Sequence, residues 1–89
     1  MTTPCDMALF INGVLTGSKI TRKRHLRQAR IIQAAIQERW QLDNPWTWKQ
    51  KHLRWFQVHY LKEHSSATRY YYQLTLRLIW KRLRETKGV

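Results

Sequence analysis

Acidic residues are scarce in this chain: five Asp and Glu stand against 17 Lys and Arg, a formal net charge of +12 over 89 residues. Those five carboxylates form no pair at a useful spacing, so paired-carboxylate acid–base hydrolysis has no support. Cysteine is almost absent. Cys5 alone rules out an internal disulfide framework and a cysteine-based zinc site, and it fits a reducing compartment. It also has no basic neighbour in sequence to activate it as a nucleophile. Three glycines are too few for a phosphate-cradling loop. No apolar run approaches the roughly 18 residues of a membrane span. The apolar stretch 7–15 is interrupted by Asn12-Gly13 and has no basic residues before it, so it makes a poor signal peptide. A cytoplasmic protein is the expectation.

Metal chemistry is equally unsupported. His25, His52, His59 and His64 include no pair three or four residues apart on a helix. No acid or cysteine joins them, and His52 with His59, seven apart, supplies two ligands at most. The sequence therefore predicts no metal, no cofactor and no catalytic residue.

What the chain does have is apolar bulk and positive charge. Hydrophobic residues make up 43% of it, including five Trp, four Tyr and two Phe, which suits a folded domain and not a disordered basic tail. At this length one domain is expected, with a single core of modest stabilising power. A charge so lopsided costs stability through self-repulsion, which a polyanionic partner would offset. Nucleic acid is the favoured polyanion. An anionic membrane surface and a basic protein-interaction module are the alternatives.

The basic residues are not evenly spread. Residues 1–18 contain no Lys or Arg, and Pro4, Asn12-Gly13 and Gly17-Ser18 punctuate them, which reads as an arm or short apolar segment packed on the body. Residues 19–89 form the basic helical domain. Its first helix is expected from about Thr21, as cap, to Gln41, with Ala29, Ile32, Ile36 and Trp40 on one face. Asp43-Asn44-Pro45 ends it. A second helix is expected from a Thr47 cap to about Glu63, with Leu53, Phe56 and Tyr60 on one face and Leu61 at its shoulder. Ser65 or Ser66 caps a third helix reaching about Glu85, with Gly88 as its stop. Two stripes, Ala67-Tyr71-Leu74-Leu78 and Tyr72-Leu76-Ile79-Leu83, predict burial of that helix on two sides.

Candidate contact residues follow from the faces left over. Arg69, Gln73 and Arg77, four residues apart, form a polar row with Trp80 and Arg84 on the third helix; forked Arg and Gln groups suit base edges and phosphates. Lys19, Arg22, Lys23, Arg24, Arg27 and Arg30 crowd the start of the first helix, where the dipole favours acids, so they run against the local rule. They read as phosphate contacts. Lys51 and Arg54 point away from the apolar face of the second helix. Exposed Trp and Tyr stacking on unpaired bases is an alternative, which would favour RNA or single strands.

The stretch from Ser65 through Leu83 resembles the N-terminal core-binding domain of tyrosine recombinases and phage integrases. That family has a loop serine, then a helix patterned Thr-x-x-x-x-x-x-x-Leu-x-x-x-aromatic-x-x-Leu; here Ser65 or Ser66, Thr68, Leu76, Trp80 and Leu83 take those positions. Ile20 to Trp40 matches the family's opening helix. The resemblance covers residues 20 to 85. It implies an all-α, small single-domain bundle of four to five helices, of the SAM-like core-binding type, that clamps one face of duplex DNA. It would place Arg69, Gln73, Arg77 and the basic start of the first helix near the DNA. Other recombinase subunits would be further partners, and no membrane or small-molecule ligand is implied. The family's catalytic arginines, histidine and nucleophilic tyrosine have no counterpart in this chain. It reads as a domain of an integrase or as a free-standing accessory DNA-binding relative.

Overall fold

Two serines start the two long helices in the same way. Ser18 Oγ accepts the Thr21 backbone N–H at 3.2 Å and lies 3.0 Å from Thr21 Oγ1. Ser65 Oγ accepts the Thr68 N–H at 3.2 Å and lies 3.0 Å from Thr68 Oγ1. Each cap satisfies one of the N–H groups that a helix start leaves unpaired. In the computed structural model, which describes residues 6–87, these caps open α2 (Lys19–Trp40) and α4 (Ser66–Lys87), each of 22 residues. The first helix thus begins three residues earlier than its sequence predicts, with Ser18 and not Thr21 as the cap. Gln41 ends it in the left-handed region, at φ 57°, with its N–H on the Gln37 carbonyl at 2.7 Å.

The remaining elements are short. Asp6 caps α1 (Met7–Ile11) by accepting the Ala8 N–H, and a 3-10 turn, Asn12–Val14, continues it. A second 3-10 turn, Pro45–Thr47, precedes α3 (Gln50–Trp55), which passes directly into a π-helical stretch, Phe56–Tyr60. The continuous second helix expected from Thr47 is therefore not formed. Thr47 serves the preceding turn instead, donating its hydroxyl to the Asn44 carbonyl at 2.6 Å. Asn44 caps that turn through the Trp46 N–H, and the His52 ring caps α3 by accepting the Lys49 N–H at 2.9 Å. The described residues are all helix, turn and loop. Among them no helix is long and apolar enough to cross a membrane. Cys5 and Gly88 lie outside the described residues.

One core joins all four α-helices. Met7, Phe10, Ile11 and Val14 enter from the first segment and meet Ala29, Ile32, Ala35 and Ile36 of α2. Residues 6–14 are thus as much a part of the core as the basic body. Leu53, Phe56 and Leu61 come from the middle of the chain, with Tyr72, Leu76, Ile79 and Leu83 from α4. Trp48 fills the centre, fully buried, and its indole N–H donates to the Leu42 carbonyl at 2.8 Å. Burying side chains of this size stabilises by about 1.5–3 kcal/mol each, before the entropy of ordering them.

Two expected faces are rearranged. Burial of α4 on a second side does not occur: Ala67 and Tyr71 are exposed, and Leu74 and Leu78 only half-buried. That side is covered only in part, by Leu78 packing against the core and by Arg24 over the Tyr71 ring. Tyr60 is 39% exposed, while Leu61 is buried. The π-helical turn explains this, because the Leu61 N–H bonds to the Phe56 carbonyl five residues back, at 3.2 Å. That slower winding turns Leu61 into the core and leaves Tyr60 at the surface, where its ring stacks on Phe56 at 4.5 Å.

Candidate nucleic-acid interface

The α2 cations lie mostly on the face opposite the core. Core positions of α2 include Ala29, Ile32 and Ile36, so Lys19, Lys23, Arg27 and Arg30 form a ridge on the far side, spaced four, four and three residues apart, and all are exposed. Arg22 is exposed on an adjoining face. No acid occurs in α2 before Glu38. Like charges one turn apart destabilise a helix by roughly 0.2–0.5 kcal/mol per pair, and the positive dipole end adds to this. The ridge is thus unfavourable for folding in isolation.

Arg24 departs from the ridge. It is half-buried, with its guanidinium carbon 4.4 Å from the centroid of the Tyr71 ring and its Nε buried without a hydrogen-bond partner. A cation over an aromatic face is held by the ring quadrupole. Arg24 therefore joins α2 to α4 as well as adding charge.

The same seam contains a buried polar relay that the sequence did not single out. His25 Nδ1 lies 2.8 Å from Thr75 Oγ1, and Thr75 Oγ1 donates to Gln28 Oε1 at 2.8 Å. One hydroxyl has one proton, so the imidazole Nδ1–H is the donor to it. Burial, and then the neighbouring Arg24 charge, hold the His25 pKa below its usual value. Tyr72, further along α4, is pushed up by burial and by Tyr60, with Arg27 acting in the opposite direction. Since Arg24 meets Tyr71 and, four residues on in each helix, Gln28 meets Thr75, the two helices run in the same sense. Their capped N-termini, with the α2 cations and Arg69, share one end of the bundle.

A second polar surface lies between α3 and α4. Arg54 and Gln57 on one wall face Gln73 and Arg77 on the other, over an apolar lining from Leu53, Leu76 and Trp80. Gln50 completes the lining of this open groove of about 300 Å³. Of the row expected on α4, Gln73 and Arg77 enter the groove with Trp80, whereas Arg69 and Arg84 lie outside it and are exposed. Arg54 also borders Lys51 on the outer side of α3, beside Val58 and His59. Gln50 and Gln57 are functional candidates that the sequence alone does not reveal. Seen along one helix they are ordinary surface amides, and only the placing of α3 and its π-helical continuation beside α4 brings them into one groove with Gln73.

The role of His52 is structural. Burial, then Lys51 and Lys49, keep it neutral, which its acceptor role toward the Lys49 N–H requires. Among the described residues no group of three or more His, Cys, Asp or Glu gathers to hold a metal ion. No family model, curated protein or solved structure matches the chain.

Proposed function

We propose that the chain binds duplex DNA, with the α2 ridge on the phosphates and α4 with its α3 neighbour supplying the remaining contacts. The observation that carries this reading is the acid-free ridge of Lys19, Lys23, Arg27 and Arg30, exposed, with like charges one turn apart and Lys19 at the positive end of the helix dipole. A merely solubilising surface would intersperse acids, which here would stabilise the helix. Phosphates lining a strand would relieve the repulsion and release counterions.

Within that reading, the role we propose is the core-binding module of a tyrosine recombinase acting in DNA integration or site-specific recombination. The positions that support it do structural work suited to such a module. Ser65 caps α4, Leu76 and Leu83 are buried, and Trp80 sits at the groove edge. A free-standing accessory DNA-binding protein would use the same surfaces. In either case the chain positions DNA and breaks no bond itself.

The test is fluorescence anisotropy with labelled duplex DNA, single-stranded DNA and duplex RNA of one sequence. Duplex DNA bound most tightly supports the proposal. Tighter binding of single strands overturns it in favour of stacking by exposed rings such as Tyr70, which is 57% exposed, and tighter binding of duplex RNA overturns it in favour of an RNA partner.

A further inference from the structure

We infer that the groove between α3 and α4 takes one unpaired nucleotide, and that the protein therefore prefers DNA carrying an extrahelical base. This rests on nucleic acid being the partner, and adds to it a site and a ligand class. Shape is the first consideration. Base edges of an intact duplex lie recessed at the floor of a groove roughly 8.5 Å deep, where a protruding helix reaches them and a concave cleft does not. What enters a cleft is a group that projects from the duplex, such as a base turned out of the stack.

The lining fits such a group. Its volume of about 300 Å³ stands at the small end of sites that hold organic ligands. Leu76 and Trp80 offer apolar and aromatic surface for a flat ring. Gln57 and Gln73 come from opposite walls, and each carboxamide both donates and accepts, as a base edge requires. Arg54 and Arg77 also face each other across the groove, with no carboxylate in the lining to neutralise them, which suits the nucleotide's phosphate. A groove for an acidic peptide would need the cations but would gain little from paired amides. A purely apolar partner would leave all four polar groups without partners.

The experiment compares a labelled duplex carrying one unpaired adenosine with the same duplex fully paired, and adds adenosine monophosphate as a free ligand followed by Trp fluorescence. Three proteins are used: the natural chain, the Gln57→Ala/Gln73→Ala variant and the Lys23→Ala/Arg27→Ala variant. All four substituted side chains are at least partly exposed, and circular dichroism verifies that both variants fold. The natural chain is expected to favour the bulged duplex by about tenfold, within the range one stacked base supplies. The glutamine variant should lose most of that preference, read as the ratio of its affinities for the bulged and the paired duplex. The α2 variant should bind both duplexes more weakly and keep the preference.

Equal binding of the two duplexes by the natural chain overturns the inference and leaves duplex binding intact. So does a preference that survives in the glutamine variant, because it would then come from the flexibility of bulged DNA. Binding of the free nucleotide, lost in the glutamine variant, without binding of paired duplex supports the groove and sinks the duplex reading. Binding of no nucleotide in any form sinks both.

Discussion

His25 on α2 and Thr75 on α4 tie the two long helices together through one buried hydrogen bond of 2.8 Å, and the same hydroxyl donates a second hydrogen bond to the Gln28 carboxamide oxygen. Thr75 is fully buried, and His25 and Gln28 are each only 6% exposed. A Thr75→Val substitution keeps the shape and removes the hydroxyl, leaving a buried N–H and a buried carboxamide oxygen without partners. The expected loss is about 1–3 kcal/mol, read as a lower urea midpoint at unchanged slope. An unchanged midpoint would mean that the relay contributes nothing to holding α2 on α4.

Acid should destabilise the fold from just below neutrality. His25 and His52 are both held below the ordinary histidine value of 6.5, chiefly by burial. In each case the folded state resists a proton that the unfolded chain accepts. The stability they confer is therefore fully present above that value and is lost as pH falls through it toward the lowered folded value. Urea midpoints should be level between about pH 7 and 8 and decline below about pH 6.5. His52→Gln, which can still accept the Lys49 N–H, should make the decline shallower. A midpoint that rose on acidification would contradict both assignments.

Gln41→Gly should stabilise the protein. Gln41 closes α2 at φ 57°, a conformation that costs a side-chain-bearing residue roughly 1 kcal/mol and glycine almost nothing. Glycine there also fits the usual helix stop. Offsetting this, the unfolded chain gains freedom, so a net gain of several tenths of a kcal/mol is expected, with a Tm higher by about 2–5 °C. A lower Tm would show that the Gln41 side chain does more than end the helix.

Two arginines one turn and a residue apart on α4 should separate stability from binding. Arg82 donates through Nε to the Phe10 carbonyl at 2.8 Å and lies 5.1 Å from the Trp46 ring centroid, fastening the end of α1 to α4. Arg77 is exposed at the groove. Arg82→Ala should cost about 2 kcal/mol of stability and leave DNA affinity of the folded protein unchanged. Arg77→Ala should leave the melting curve alone and weaken DNA binding by about 1–3 kcal/mol through the loss of a phosphate contact. The reverse pattern in thermal melts and anisotropy would reassign both residues.

Much of the framework could be read from local spacing. Ala29, Ile32 and Ile36, and Tyr72, Leu76, Ile79 and Leu83, recur at helical intervals and all are buried. A cap at Ser65 or Ser66 was legible from their position before an apolar run, and the structure gives it to Ser65. The π-helical turn at Phe56–Tyr60 was not legible, because its five-residue bonding leaves no distinct periodicity over so short a stretch. The 3-10 turn at Pro45–Thr47 draws Thr47 away from the start of α3, a choice decided by Asn44. At the site, charge and helix faces located the α2 ridge. The groove depends on residues from two elements, so Gln57 and Gln73 acquired a common role only through packing. Arg24, counted with the ridge by sequence, is drawn off it by the ring of Tyr71, 47 residues later in the chain.

The central claim is that the α2 ridge meets phosphates, and the salt dependence of duplex DNA binding tests it most directly. Affinity is measured by anisotropy over a salt series for the natural chain and for a Lys23→Ala/Arg27→Ala/Arg30→Ala variant. Each phosphate neutralised contributes about −0.9 to the slope of log affinity against log salt. A steep slope is expected for the natural chain and one shallower by about 2–3 for the variant, with its thermal melt unchanged or raised by the relief of like-charge repulsion. Identical slopes for the two proteins would remove α2 from the interface and contradict the account.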